Sequence, residues 1–142
     1  GPFEFAIGHS LGGMSIVNAV KQGFKIKKGV IIGSGDIIQD IIDDFIKKIN
    51  LKQKIGLMMK EHFEKKFNEP MENYATSNAT LLVKTPFLII HDENDEDVPL
   101  KAAINVHEKL EESKLIITSG LGHRKILGDK SVIDNIIKFI KE

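Results

Sequence analysis

The hexapeptide Gly8-His9-Ser10-Leu11-Gly12-Gly13 follows directly on the largely apolar run Phe3-Glu4-Phe5-Ala6-Ile7 and leads at once into helix-like sequence. It reads as strand, sharp turn and helix, with Ser10 at the apex. Glycines two residues before and two after the serine fit the G-x-S-x-G pattern, in which a Cβ at either position is expected to collide with the neighbouring strand or helix. The helix opening behind Ser10 aims backbone N–H groups and the positive end of its dipole at the serine oxygen. Such a turn suits an oxyanion that develops during acyl transfer.

A strand feeding a helix in this way constrains the rest of the chain. Leu11, Met14, Val17 and Val20 mark the apolar stripe of the helix and Gly23 its end. Residues 27–33 then supply a second strand whose β-branched centre is nearly continuous, as expected of a parallel strand buried on both faces. Strand, helix and strand over about 30 residues form a βαβ unit.

From Ser34 the alternation stops. Asp36 is expected to cap an amphipathic helix in which Ile37, Ile38, Ile41, Ile42, Phe45, Ile46 and Ile49 share one broad face. A second helix is expected over 51–67, with Pro70 past its end, and a short third within 73–83. Helices in succession read as an insertion over 35–84, a cap lying over one end of the sheet. Alternation resumes with a strand over 86–90 and a helix over 99–110, with Leu100, Ala103, Ile104, His107 and Leu110 inward. A last strand over 115–118, a glycine-bearing loop over 119–123 and a closing helix marked by Ile133, Ile136, Ile137 and Ile140 complete the chain. The expected fold class is α/β, a single domain over 1–142 with a parallel sheet of about four strands flanked by helices.

Composition narrows the partners. Lysine plus arginine number 20 and aspartate plus glutamate 20, so the formal net charge is zero and nucleic acid is not an expected partner. The absence of cysteine excludes disulfides, thiolate zinc sites and a cysteine nucleophile, and it fits a reducing, cytoplasmic location. No apolar run approaches the roughly 20 residues that span a bilayer. Gly33-Ser34-Gly35 lacks the third glycine of a dinucleotide loop, and no P-loop Gly-Lys-Ser/Thr occurs. Counted from Asp92, the glycine and glutamate positions of an EF-hand hold Asp97 and Ala103, which argues against calcium. Neither a cofactor nor a metal is expected. Gly1-Pro2 is either native or the scar of a protease used to remove a tag.

In open parallel sheets, ligands bind beyond the carboxyl ends of the strands. Ser10 follows the first strand, Asp95 the third and His123 the fourth. A hydroxyl needs a base within reach, and the base needs an orienting carboxylate. The order Ser, Asp, His accompanies a G-x-S-x-G turn. Asp92 and Asp97 compete with Asp95 on the acidic turn. Among the histidines, His9 lies inside the serine turn, His91 closes a strand, and His62 and His107 sit on helix faces; each competes with His123.

Ala6-Ile7-Gly8-His9-Ser10-Leu11-Gly12-Gly13, Leu88-Ile89-Ile90-His91-Asp92-Glu93-Asn94-Asp95-Glu96-Asp97-Val98-Pro99 and Gly122-His123-Arg124 together resemble the carboxyl-terminal half of an α/β-hydrolase. The resemblance implies a nucleophile at Ser10, the acid of a D-x-x-V-P turn at Asp95 and the general base at His123. It makes the Leu11 N–H one donor of an oxyanion hole and the inserted helices a cap. The implied reaction is hydrolysis of an ester or related acyl substrate through an acyl-enzyme. His9, Phe45, Met58, Met59 and Phe63 are the candidate lining of an acyl pocket beneath the cap.

Family members begin with further strands and helices, including the one whose loop supplies a second oxyanion donor. The expectation is therefore a truncated domain whose first strand, near Phe3–Ile7, presents an open edge and pairs with another copy of the chain. The alternative reading is a structural, self-associating fragment with little activity.

Overall fold

The computed structural model describes residues 3–142; the choice between native sequence and scar at Gly1-Pro2 lies outside the described residues. Among the described residues, β1 (Phe5–His9), β2 (Lys28–Ile32), β3 (Phe87–Asp92) and β4 (Ser113–Thr118) lie side by side in chain order, and every neighbouring pair is parallel. Parallel neighbours need crossovers. These are α1 (Leu11–Lys21) between β1 and β2, a run of helices between β2 and β3, and α5 (Leu100–Lys109) between β3 and β4.

The run between β2 and β3 comprises α2 (Ile38–Lys48), α3 (Lys54–Phe67) and the single turn α4 (Thr76–Ala79), with 3-10 turns at Met71–Tyr74 and Thr80–Leu82. After β4 come the short α6 (Gly122–Lys125) and α7 (Lys130–Lys141). Asp129 caps α7 by accepting from the Val132 N–H at 3.0 Å.

The pleat sorts the core onto two faces. Ile31, Phe87 and Ile89 meet Val17 of α1 and Ala103, Val106 and Leu110 from the α5 side. Val30, Ile32, Leu88 and Ile90 meet Val132, Ile136 and Phe139 of α7. Burying both faces is what the unbroken apolar strands require. Phe87 is fully buried at the centre, where truncation to alanine costs about 3–5 kcal/mol.

Several stripes turn out differently from the sequence expectation. Leu11 is 68% exposed, because it opens α1 at the rim of the sheet and leaves Met14 and Val17 to pack inward. On α5 the inward face is Ala103 and Val106, while Ile104 is exposed; on α7 it is Val132, Ile136 and Phe139, while Ile133 and Ile137 face outward. In each case two apolar faces compete, and contact with the sheet selects one. On α2 only Ile46 is fully buried; Ile41 and Phe45 remain exposed, as does Ile49 just past its end. The helix expected from residue 51 begins at Lys54, because Asn50 is left-handed (φ 60°) and turns the Leu51 N–H back onto the Ile46 carbonyl at 3.0 Å.

Asp36 does not cap α2. That helix starts at Ile38, after Ile37, with no side-chain cap bond. Asp36 is buried instead, and its carboxylate accepts from the Ser77 N–H at 2.8 Å and from Asn105 Nδ2 at 3.4 Å. Its carbonyl accepts from the Thr76 N–H at 3.0 Å, and Thr76 Oγ1 donates to the Gly35 carbonyl at 2.9 Å. Asp36 therefore ties the end of β2 to the returning end of the run of helices between β2 and β3.

The ladders continue one residue beyond the strands. Ser10 N–H donates to the Ile32 carbonyl, Gly33 N–H to that of Ile90 and Glu93 N–H to that of Thr118, each at 2.9 Å. The carboxyl ends of all four strands thus finish along one rim.

Candidate active site

Ser10 joins β1 to α1 with φ 55° and ψ −124°, a conformation that costs a non-glycine residue about 1–3 kcal/mol. Close packing on both sides holds it there. A Cβ on Gly8 would stand 2.6 Å from the Gly12 carbonyl carbon, and one on Gly13 would stand 2.6 Å from Ser34 Oγ. Ser34 Oγ in turn donates to the Ser10 carbonyl at 3.1 Å. The expectation of a collision at Gly12 is corrected: a Cβ there meets nothing within 4 Å among the described residues, and Gly13 is the crowded position because it faces the end of β2. As first residue of α1, Leu11 carries an N–H with no intrahelical acceptor.

Asp95 lies on the loop after β3 with its side chain almost wholly buried. Its Oδ1 accepts from the N–H groups of Asp97 (2.9 Å) and Val98 (2.8 Å), which leaves Oδ2 to face His123 Nδ1 at 2.7 Å. A carboxylate can only accept, so the proton of that bond sits on Nδ1 and the Nε2 lone pair is left for another donor. The His123 side chain is 12% exposed.

The competing residues are held in other contacts, although His91 Nε2 also stands 3.6 Å from Asp95 Oδ2. Asp92 is fully buried and turned into the base of the two loops. Burial pushes its carboxyl up, but hydrogen bonds from the Thr118 hydroxyl and the backbone of Gly122, Leu121 and Asn94 outweigh this and hold it below the ordinary carboxylate value. Asp97 is exposed and pairs with Lys48 at 3.4 Å. His91 is buried, with Nε2 donating to the Val98 carbonyl at 2.8 Å. His107 Nδ1 meets Ser113 Oγ at 2.7 Å, and His62 sits on exposed α3.

Ser10, Leu11, Met14, Ile41, Phe45 and His123 line one cleft of about 420 Å³ at the rim. Met58, Met59 and Phe63, grouped by sequence with Phe45, line a separate groove between α2 and α3. His9 is absent from the cleft lining and bonds to the His123 main chain. Asp95, Asp97 and His123 bring potential metal-ligand atoms within 4.8 Å of one another, and Asp95 Oδ2 and His123 Nδ1 are already bonded to each other.

Sequence reasoning overlooked Gly33. Its φ is +52°, and a Cβ would stand 3.3 Å from both Asp95 Oδ2 and His123 Nδ1. The signal lay in Gly33 ending the second strand of a rim already known to gather ligands, although it drew attention only as a failed dinucleotide loop.

A parallel sheet whose strand ends gather a serine turn, a buried carboxylate and an imidazole defines a chain of the α/β-hydrolase superfamily. More narrowly, it belongs to the family described as TAP-like protein, whose model matches residues 65–142, more than half of the chain. An esterase from Pyrococcus furiosus superposes with a TM-score of 0.71 at 18% identity, over 96% of this chain and 53% of its own. An α/β hydrolase enzyme from a sediment metagenome of the Mar Chica lagoon, Morocco, gives 0.67 at 21% identity, over 96% and 60%. The esterase domain of a Rhodothermus marinus protein gives 0.62 at 14%, over 94% and 55%. The chain thus spans between half and two thirds of the length of these structures, and at such identities the likeness speaks for the fold. No curated protein sequence matches.

Proposed function

We propose that the chain carries the nucleophile, base and acid of a serine hydrolase acting on an ester or related acyl substrate. Ser10 Oγ attacks the acyl carbon as His123 Nε2 takes its proton. Asp95 holds the imidazole in the tautomer that leaves Nε2 free and stabilises the imidazolium. The Leu11 N–H donates to the oxyanion, and the proton on His123 passes to the leaving alcohol. Water, activated by the same imidazole, then releases the acyl group and restores Ser10. The inserted helices over 35–84 act as a cap, and Leu11, Ile41 and Phe45 give the cleft an apolar wall against the acyl part.

The observation that carries this reading is the 2.7 Å contact of Asp95 with His123 on the cleft that also holds Ser10. The test is reaction with a serine-directed fluorophosphonate, followed by intact mass. Labelling that disappears in Ser10→Ala supports it; absent or Ser10-independent labelling counts against it.

A second reading concerns assembly, and one observation favours it. β1 pairs only with β2 among the described residues, and Ile7 on it is 53% exposed. An open edge of this kind is a template for another strand, so a second copy completes the sheet there. Light scattering is expected to show a dimer that Ile7→Lys dissociates; a monomeric parent chain at micromolar concentration would rule this out.

A further inference from the structure

The loops that carry Asp95 and His123 leave the sheet side by side, because β3 and β4 end in register with Asp92 opposite Thr118. One further ladder bond, from Glu93 N–H to the Thr118 carbonyl at 2.9 Å, extends past that point, and the second loop then passes through two left-handed glycines, Gly120 (φ +79°) and Gly122 (φ +62°). The Asp92 side chain spans the gap. Asp92 Oδ1 accepts from the Asn94 N–H at 3.0 Å, while Oδ2 accepts from the Thr118 hydroxyl at 2.7 Å and the Leu121 N–H at 3.0 Å. Asn94 immediately precedes Asp95, and Leu121 lies two residues before His123. Asn94 adds a second strut, its Oδ1 accepting from the Gly120 N–H at 2.9 Å.

Asp92 is fully buried and has no salt-bridge partner among the described residues. A buried charge is costly unless hydrogen-bond donors converge on it. An apolar side chain would fill the same space without that cost but would leave the donors of both loops unpaired.

We propose that Asp92 is a positioning residue, a buried carboxylate that clamps the loop of Asp95 to the loop of His123 and thereby sets the contact between them. The proposal rests on the reading of Ser10, His123 and Asp95 as one nucleophilic system. Asparagine in its place keeps the size but in either orientation turns its N–H2 group toward a backbone N–H, that of Asn94 or that of Leu121, which cannot accept. One loop then moves away from the other. A displacement of about 1 Å far from the reacting atoms can cost about 100-fold in rate.

The test compares the parent chain with Asp92→Asn and Thr118→Val by two readouts. One is the low-field proton resonance of His123 Nδ1–H, assigned by its loss in His123→Gln. The other is the rate of fluorophosphonate attachment to Ser10. In Asp92→Asn the resonance is expected to shift or vanish while amide signals away from the rim persist, and labelling is expected to slow about 10–100-fold. Thr118→Val is expected to move both in the same direction by less. A folded Asp92→Asn chain that keeps the resonance, and labels within about twofold of the parent, overturns the proposal. Should Asp92→Asn fail to fold, Thr118→Val decides: a shifted resonance supports the clamp and an unchanged one overturns it. A parent chain whose Ser10 is not labelled refutes the serine-hydrolase reading, while the resonance still decides the role of Asp92.

Discussion

His9 Nε2 donates to the main-chain carbonyl of His123 at 2.8 Å, and the two imidazole rings lie 4.5 Å apart, tilted by 44°. The strand that presents Ser10 is thereby fastened to the loop that presents His123, across 114 residues of sequence. A carbonyl can only accept, so the bond fixes the His9 proton on Nε2.

Replacing His9 by phenylalanine keeps a ring against His123 and removes the donor. The cost is expected to be about 1 kcal/mol in folding stability, as for a single hydrogen bond. The drop in urea midpoint is expected alongside slower fluorophosphonate labelling of Ser10. Unchanged labelling would mean that this bond has no part in aligning the loop.

Gly33 packs directly against the Asp95–His123 contact. Gly33→Ala places a methyl group 3.3 Å from both partners on a backbone of φ +52°, so the substitution strains the main chain and presses on the contact together. Labelling is expected to fall at least about tenfold. Gly12→Ala meets nothing within 4 Å among the described residues and is expected to be far milder. Equal effects at the two positions would contradict this packing account.

The Asp92 carboxyl is held below its ordinary value, so the folded state binds its proton less readily than the unfolded state does. Its contribution to stability is complete above the unfolded carboxylate value of about 3.9 and is lost as pH falls through the lower folded value. Asp92→Asn is therefore expected to be destabilised at neutral pH and to lose less stability on acidification, the two curves converging as pH falls below the unfolded carboxylate value and through the lower folded one. Glu72, Glu111 and Glu142, paired with lysines on the surface, are lowered in both chains and cancel in the comparison. Urea midpoints against pH measure this. Parallel curves would contradict it.

Asp36→Ala leaves the Ser77 N–H buried without an acceptor, and such a group costs about 1–3 kcal/mol. Hydrogen exchange is expected to quicken first in α4, where Thr76 and Ser77 are tied to the end of β2. Uniform quickening across the sheet would show that Asp36 does not act locally.

What could be read from the sequence was what sits close together along the chain. The serine turn, the apolar strands and the break in alternation after Ser34 rest on spacing within about one turn or one strand, and periodicity reports such spacing. The parallel sense of the strands followed from the helices that separate them, whereas their order in the sheet is given by the structure. Asp36 was hidden because its partners Ser77 and Asn105 lie 41 and 69 positions away, and no local pattern separates a long-range tether from an N-cap. Asp92 looked like one of several acidic turn residues, since its burial depends on Thr118 and Leu121 arriving from another strand. Phe45, Met58, Met59 and Phe63 shared an apolar character that could not tell which groove each would enter; only packing of α2 against α3 separates them.

The most direct measurement is the rate of fluorophosphonate attachment to Ser10 in the parent chain, His123→Ala, Asp95→Ala and the double variant. If Asp95 acts only by holding His123, the double variant is expected to label as slowly as His123→Ala alone, with no further loss. Multiplying penalties, or labelling indifferent to either substitution, would contradict a single Ser10–His123–Asp95 unit.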